Sequence, residues 1–323
     1  MADLKWGIMG CGGIAGEMAE ALEKHGKKAY AVCGRTKSKA ETFAMKHKIR
    51  KIYETYQEML EDQEVDIIYI ATPHGVHYEN IKEALNAGKH VLCEKAITVN
   101  DHQLEEVVEL AKSKDLILRE AMTISHMPLF KKLKERIKEG AIGEVKMVQV
   151  NFGSNKGKDY TNRFYAMEAA GGALLDIGGY ATTFARTFLD ETPNTILTTM
   201  KYAPTGVDEQ CGIIMKNSLE QMVVMSLTIQ AKQPKRGVVT GDEGYIEVYE
   251  YPRAMKGTIT NTATGEVETI EAGKTEDALL YEVEAMEGTI EGTYEDNAME
   301  ISRDVMHILS SVRNQWGMKY PFE

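Results

Sequence analysis

Apolar residues Leu4, Trp6, Ile8 and Met9 run straight into Gly10-Cys11-Gly12-Gly13-Ile14-Ala15, after which a helical pattern continues to His25. This order predicts a strand, a glycine turn and a helix. Further apolar runs without polar alternation fall at 29–33, 52–53, 66–70, 90–93 and 116–118. Helical patterns separate them, near 38–48, 56–61, 78–87 and 101–114. Strands that lack a polar face are buried on both sides, and their alternation with helices predicts a parallel sheet covered on both faces. Residues 1–120 are therefore expected to form a doubly wound dinucleotide-binding domain.

Beyond Glu120 the pattern changes. A helix near 128–139 precedes a long strand at 144–152, and a second helix is expected at 174–189. From 195 to 269 strands dominate, with turn signals at Lys216-Asn217-Ser218, Thr240-Gly241-Asp242 and Ala263-Thr264-Gly265. Helices near 277–291 and 299–315 close the chain. The expected fold class is α/β. An N-terminal doubly wound parallel sheet (1–120) is joined to a C-terminal α/β domain (121–323) with a large, mostly antiparallel, open sheet. With few helices to cover that sheet, Met215, Met222, Val224 and Met225 predict an apolar face, and a second subunit would remove it from water.

Charge and composition narrow the partners. The net charge of −11 lacks the basic footprint of a nucleic-acid binder. Residues 1–120 carry 17 Lys+Arg against 20 Asp+Glu, and the remainder carries 21 against 29, so the nearly balanced first half is the one suited to an anionic dinucleotide. No apolar stretch approaches the roughly 20 residues of a membrane span. Met1-Ala2-Asp3 leads directly into the first predicted strand, so no targeting peptide is expected and the cytoplasm is the expected location. Cys11, Cys33, Cys93 and Cys211 lack paired metal-ligand spacing, which predicts neither a metal site nor a disulfide framework.

The glycine turn carries specific chemistry. Gly10 permits the tight turn, Gly12 and Gly13 let backbone amides reach a pyrophosphate, and Ile14 and Ala15 open the helix that packs on the strand. An acidic residue at the end of the second strand would bind an adenosine ribose, but the chain reads Cys33-Gly34-Arg35-Thr36 there. A guanidinium and a hydroxyl suit a 2′-phosphate, so NADP(H) is preferred over NAD(H). Ligands bind beyond the carboxyl ends of such strands, which brings in Thr72, Pro73 and His77 after the fourth strand and Glu94 and Lys95 after the fifth. A lysine placed there either assists a proton donor or pairs on the surface with Glu94. Downstream, Asp176 and Tyr180 would stand one helical turn apart, with Tyr180 either a proton donor or a packing residue.

Together these segments resemble the glucose-fructose oxidoreductase and inositol dehydrogenase (Gfo/Idh/MocA) family over nearly the whole chain. The resemblance is carried by Gly10 to Ala15, Ala71-Thr72-Pro73, the stretch from Ala87 to Lys95, and Gly171-Gly172-Ala173-Leu174-Leu175-Asp176-Ile177-Gly178. Within the family the chain looks like the dimeric dihydrodiol dehydrogenase branch, through Leu4 to Ile8, the Arg35 region, Glu120-Ala121 and the block ending at Tyr180. The resemblance implies an NADP-dependent oxidoreductase acting on trans-dihydrodiols or sugars such as xylose. It implies Tyr180 as general acid/base, Lys95 as its partner, Asp176 and Arg163 as substrate contacts, and a homodimer or dimer of dimers through the open sheet. Two departures stand out. Ala96 replaces the family's usual proline after Lys95, and Met122-Thr123-Ile124-Ser125-His126 replaces an aromatic stretch, which shifts the expected substrate toward sugars. Two other readings are a cofactor-sensing regulator without turnover and a glycosidase with a tightly held cofactor.

Overall fold

The computed structural model describes residues 4–323; Met1-Ala2-Asp3, on which the targeting expectation rests, lie outside the described residues. Chain contacts divide the protein into two compact units. The first comprises the chain up to Met122 together with Leu279–Met299; the second comprises Thr123–Ala278 and Glu300–Glu323. Sequence patterning placed the segment 279–299 in the second domain, whereas its contacts put it in the first.

In the first unit six parallel strands, β1 (Trp6–Met9), β2 (Ala31–Cys33), β3 (Lys51–Tyr53), β4 (Ile67–Ile70), β5 (His90–Glu94) and β6 (Leu118–Ala121), lie in the order β3-β2-β1-β4-β5-β6. The order reverses direction between β1 and β4, which is where a doubly wound sheet opens a crevice for a ligand. β1 and β4 are buried along their whole length, as their unbroken apolar patterns require. The last strand starts at Leu118, not at 116, because the residues before it are spent on the turn after Ser113. The segment 279–299 is tied in by buried polar contacts. Trp6 Nε1 donates to Glu287 Oε1 at 2.8 Å, and Lys27 Nζ lies 2.7 Å from both Glu287 oxygens. Arg119 donates to Thr289 Oγ1 at 3.0 Å and to Asp296 at 2.6 Å.

In the second unit eight strands, β7 (Val145–Gly153), β8 (Thr195–Tyr202), β9 (Asp208–Lys216), β10 (Met222–Thr228), β11 (Gln233–Gly241), β12 (Gly244–Tyr249), β13 (Lys256–Asn261) and β14 (Val267–Glu271), form one sheet ordered β14-β13-β12-β11-β7-β10-β9-β8. Only the β7–β10 pair is parallel. The predicted turns fall between β9 and β10, β11 and β12, and β13 and β14. The helix Gly179–Phe188 packs on one face of the sheet over β7 and β11, with Phe184 against Gly237.

The other face is open, but only part of the expected apolar set lies on it. Met215 and Met225 are 1% and 2% exposed and point to the helix-covered side. Val224 faces outward as expected, at 40% exposure, and its outward neighbours are Leu197 and Ile214, at 62% and 44%. They sit side by side in direct register, Leu197 opposite Ile214 and Ile214 opposite Val224. Strand periodicity explains the exchange: neighbours along a strand point to opposite faces, so Ile214 is outward because Met215 is inward.

Candidate functional site

Gly10 follows β1 with φ +110°, and a Cβ there would sit 2.6 Å from the Ala71 carbonyl oxygen. Its N–H donates to Cys33 O at 2.8 Å, so glycine is what allows β1, β2 and the loop after β4 to converge. Gly12 and Gly13 are exposed, and a Cβ on either would meet nothing within 4 Å. This is the open approach to backbone amides that a pyrophosphate needs. Gly13 begins the helix Gly13–Lys24, whose first turn holds no acidic residue and whose N-cap makes no side-chain bond. Its N-terminal amides are available to an anion.

A cleft of about 550 Å³ adjoins this turn, lined by Cys11, Gly12, Gly13, Gly16, Ser38, Lys39, Thr42, Phe43, Lys46 and His47. Lys39 and Lys46 are cations that patterning did not single out. The signal lay in their spacing: Lys39, Thr42, Phe43 and Lys46 recur on one face of the helix Lys37–His47. Arg35 and Thr36 are exposed at the start of that helix. Thr36 is its N-cap, without a side-chain capping bond.

Thr72 and Pro73 follow β4, with the Thr72 hydroxyl accepting from Asn80 Nδ2 at 2.9 Å. His77 departs from the expected cofactor contact. It is fully buried, its Nδ1 2.9 Å from Ala96 O and its Nε2 2.7 Å from Thr72 O. Burial pushes its pKa down, and it joins the loop after β4 to the loop after β5 instead of presenting a ring to a ligand. Glu94 is likewise buried and accepts the Tyr69 hydroxyl at 2.5 Å, so it too supports the loop from beneath.

Lys95 is half-buried between these supports. Its N–H donates to Glu94 Oε2 at 3.3 Å, the Lys95–Ala96 peptide is cis, and the next amide, Ile97 N–H, donates to Glu120 Oε1 at 3.1 Å. With the His77 contact to Ala96, the backbone that carries Lys95 is held on both sides despite the missing proline.

In the second unit, the glycine-rich block starts a helix in an unexpected way. Leu174–Gly178 is π-helical, and only from Gly179 does the α-helix to Phe188 begin. The wider π-turn sets the relation of Asp176 to Tyr180, where patterning assumed α-helical spacing. Gly171 and Gly172 donate to Ala166 O and Phe164 O, both at 2.9 Å, which ties the block to the loop bearing Arg163. Arg163 is exposed, with its guanidinium 4.2 Å from the Phe164 ring.

Lys156, which patterning did not single out, lies 3.7 Å from Asp176 Oδ2 and 4.0 Å from the Phe164 ring. No periodic signal marks it, because it lies in an irregular loop. Tyr180 is half-buried, its ring 6.3 Å from Phe152. It borders a cleft of about 720 Å³ lined also by Lys235, Glu247, Tyr249, Arg253 and Met255. The second unit thus offers a phenol, a carboxylate and an ammonium suited to polyhydroxy recognition. Among the described residues no group of three or more His, Cys, Asp or Glu is arranged to hold a metal, and no helix is long and apolar enough to cross a membrane.

The family model described as an oxidoreductase family with an NAD-binding Rossmann fold matches residues 4–122, and the Gfo/Idh/MocA C-terminal domain model matches residues 130–247. The chain belongs to the Gfo/Idh/MocA oxidoreductase family. This member is 33% identical to a trans-1,2-dihydrobenzene-1,2-diol dehydrogenase of Xenopus tropicalis over 76% of its own length and 74% of the relative. It is 34% identical to a D-xylose 1-dehydrogenase (NADP(+)) of Hypocrea jecorina, covering 83% and 78% of the two chains. Its fold is that of a 3-ketoreductase from Actinomadura kijaniata in complex with NADP and TDP-benzene (TM-score 0.87, 23% identity, 96% and 97% covered). The same fold occurs in a levoglucosan dehydrogenase in complex with NADH and levoglucosan (TM-score 0.88, 17% identity, 98% and 99% covered). This Gfo/Idh/MocA protein is accordingly an oxidoreductase with a parallel nucleotide-binding sheet and a second, mostly antiparallel one.

Proposed function

We propose that this oxidoreductase uses NADP(H) to interconvert a secondary alcohol and a carbonyl on a sugar or similar polyhydroxy compound. The observation that carries this reading is Lys156 paired with Asp176 at 3.7 Å in the turn that leads to Tyr180, with Arg163 and Lys156 both against the Phe164 ring. Cations and a carboxylate there can hold several hydroxyl groups at once. The dinucleotide, when bound, gives or takes a hydride at C4 of its nicotinamide. Gly10, Gly12 and Gly13 leave room for its pyrophosphate, and Ile14 and Ala15 belong to the helix whose amides face it. Arg35 and Thr36 take the 2′-phosphate, while Thr72 and Pro73 border the nicotinamide half.

In the reducing direction Tyr180 gives its hydroxyl proton to the carbonyl oxygen. Lys95 stabilises the resulting negative charge, and Asp176, held by Lys156, accepts bonds from substrate hydroxyls. Absorbance of NADPH with the purified protein and a panel of pentoses, hexoses, ketosugars, dicarbonyls and one trans-dihydrodiol, in both directions, tests the function. Turnover of sugars is the expected result. Silence across the panel with NADPH bound would favour a regulator.

Removing the Arg35 guanidinium tests the nucleotide preference. Arg35→Ala is expected to raise KM for NADPH roughly 10- to 100-fold, the worth of hydrogen bonds to a charged group. KM for NADH should hardly move. Equal effects on both would show that Arg35 does not meet the 2′-phosphate.

We also assign the outward row Leu197, Ile214 and Val224 to a homodimer contact, since three aligned exposed aliphatic residues gain by leaving water. Sedimentation of Ile214→Glu should give a monomer where the parent gives a dimer; a monomeric parent would end this assignment. Four free thiols suit a reducing compartment, which supports the cytoplasm.

A further inference from the structure

Asp208 opens β9, is fully buried, and has no part in the chemistry above. Its Oδ2 accepts the Leu174 N–H at 2.7 Å. Oδ1 has no hydrogen-bond partner among the described residues and faces Gly172, whose φ of +117° and lack of a side chain leave room for it. Leu174 is the first residue of the π-turn that contains Asp176 and leads to Tyr180. A carboxylate therefore caps the turn that carries Asp176 and runs into the helix bearing Tyr180. Just upstream, the Tyr320 hydroxyl donates to Gly171 O at 2.7 Å, fixing the other side of the same turn.

The surroundings of this carboxylate leave its charge finely balanced. Burial pushes its pKa up to about 7, against the amides of Leu174 and Ala173 and the Arg313 guanidinium, which favour the anion. Arg313 comes from the helix Ala298–Trp316 and is also paired with Glu323 at 2.7 Å. The Tyr320 phenol and the Cys211 thiol both feel the Asp208 charge, but burial pushes each of them up, away from neutrality. The neighbouring Glu209 pairs with Lys201 at 2.5 Å. An anion at the start of a helix strengthens its cap, both by charge-assisted bonding and through the helix dipole.

We propose that Asp208 is a positioning residue for the reaction: its carboxylate holds the start of the π-turn, and with it Asp176 and Tyr180, and protonation loosens that hold. The proposal rests on the reading of Tyr180 and Asp176 given above. It predicts that kcat rises as pH increases through neutrality. In D208N, whose amide oxygen can only cap as a neutral acceptor, that rise should be absent and kcat should stay about tenfold below the parent's plateau, the step from a charge-assisted to a neutral bond. KM for NADPH should not move.

Two measurements on the full chain decide the matter. The first is amide hydrogen exchange over 172–180 between pH 6 and 8.5, corrected for intrinsic exchange. Protection in the parent should grow with pH, and in D208N it should be independent of pH. Identical behaviour in both would overturn the proposal, and the parent's own pH dependence needs no variant to fold. The second is the pH profile of kcat with the sugar turned over fastest in the panel. A rise through neutrality that survives in D208N would overturn the proposal even if exchange responds.

Heat stability gives the opposite sign. Because the folded-state pKa lies above the unfolded one, stability from Asp208 is present in acid and lost as pH rises through about 7. D208N should thus melt higher than the parent at pH 8.5 while turning over more slowly, a split that a purely structural role does not produce. Should Tyr180→Phe keep its turnover, the reading of Tyr180 falls, while hydrogen exchange still decides whether Asp208 holds the turn.

Discussion

Tyr180→Phe is expected to lower kcat by about 100- to 10,000-fold, the usual worth of a placed proton donor. The substitution keeps the aromatic ring and with it the packing 6.3 Å from Phe152, so only the hydroxyl is lost. NADPH affinity should be unchanged, because the residues proposed to hold the dinucleotide all belong to the first unit. Turnover followed by NADPH absorbance and binding followed by its fluorescence separate the two quantities. A variant with both quantities lowered would point to a folding defect, and one with full turnover would remove Tyr180 from the mechanism.

A second large effect is expected at the glycine turn, where two positions on either side of Cys11 should fail in different ways. In Gly10→Ala the new methyl meets the Ala71 carbonyl 2.6 Å away, on a backbone at φ +110° that a side chain resists. The loss should be about 3 kcal/mol of stability, comparable to the strain of a disfavoured backbone state, with NADPH binding lost as well. Gly12→Ala should leave the denaturation midpoint nearly unchanged, since its methyl meets nothing within 4 Å. It should instead weaken NADPH binding, by filling the space left for the pyrophosphate. Urea denaturation and NADPH titration of both variants check the pair. Equal loss of stability at both positions would contradict this division of roles.

The contrast shows which features were legible from residue order alone. The six-strand parallel sheet followed from apolar runs without a polar side, a pattern that only doubly covered strands tolerate. The open sheet was legible too, from the shortage of helices. Which residues faced outward was legible only for Val224, because a one-residue phase decides it and the apolar stretch from Cys211 to Met215 has little polar alternation to fix that phase. At the candidate site, Gly10 and Lys95 stood out because their positions follow from strand ends. His77 was misassigned because a loop histidine looks the same in sequence whether it faces a ligand or two buried carbonyls. Lys156 and Asp208 were invisible for a related reason: each acts on the Asp176 segment from far along the chain, and neither spacing nor propensity encodes such a meeting.

The segment Leu279–Met299 bears on how the protein is made. Trp6, Lys27 and Arg119 all emerge from a ribosome early, yet the side chains they bond, Glu287, Thr289 and Asp296, are translated more than 150 residues later. The nucleotide-binding sheet can pair its strands as they appear, but its polar seams close only once residues 279–299 have been synthesised. A nascent chain paused before residue 279 would carry an indole N–H and a guanidinium still without these acceptors, so vectorial folding of this half is completed by a segment translated long after its strands.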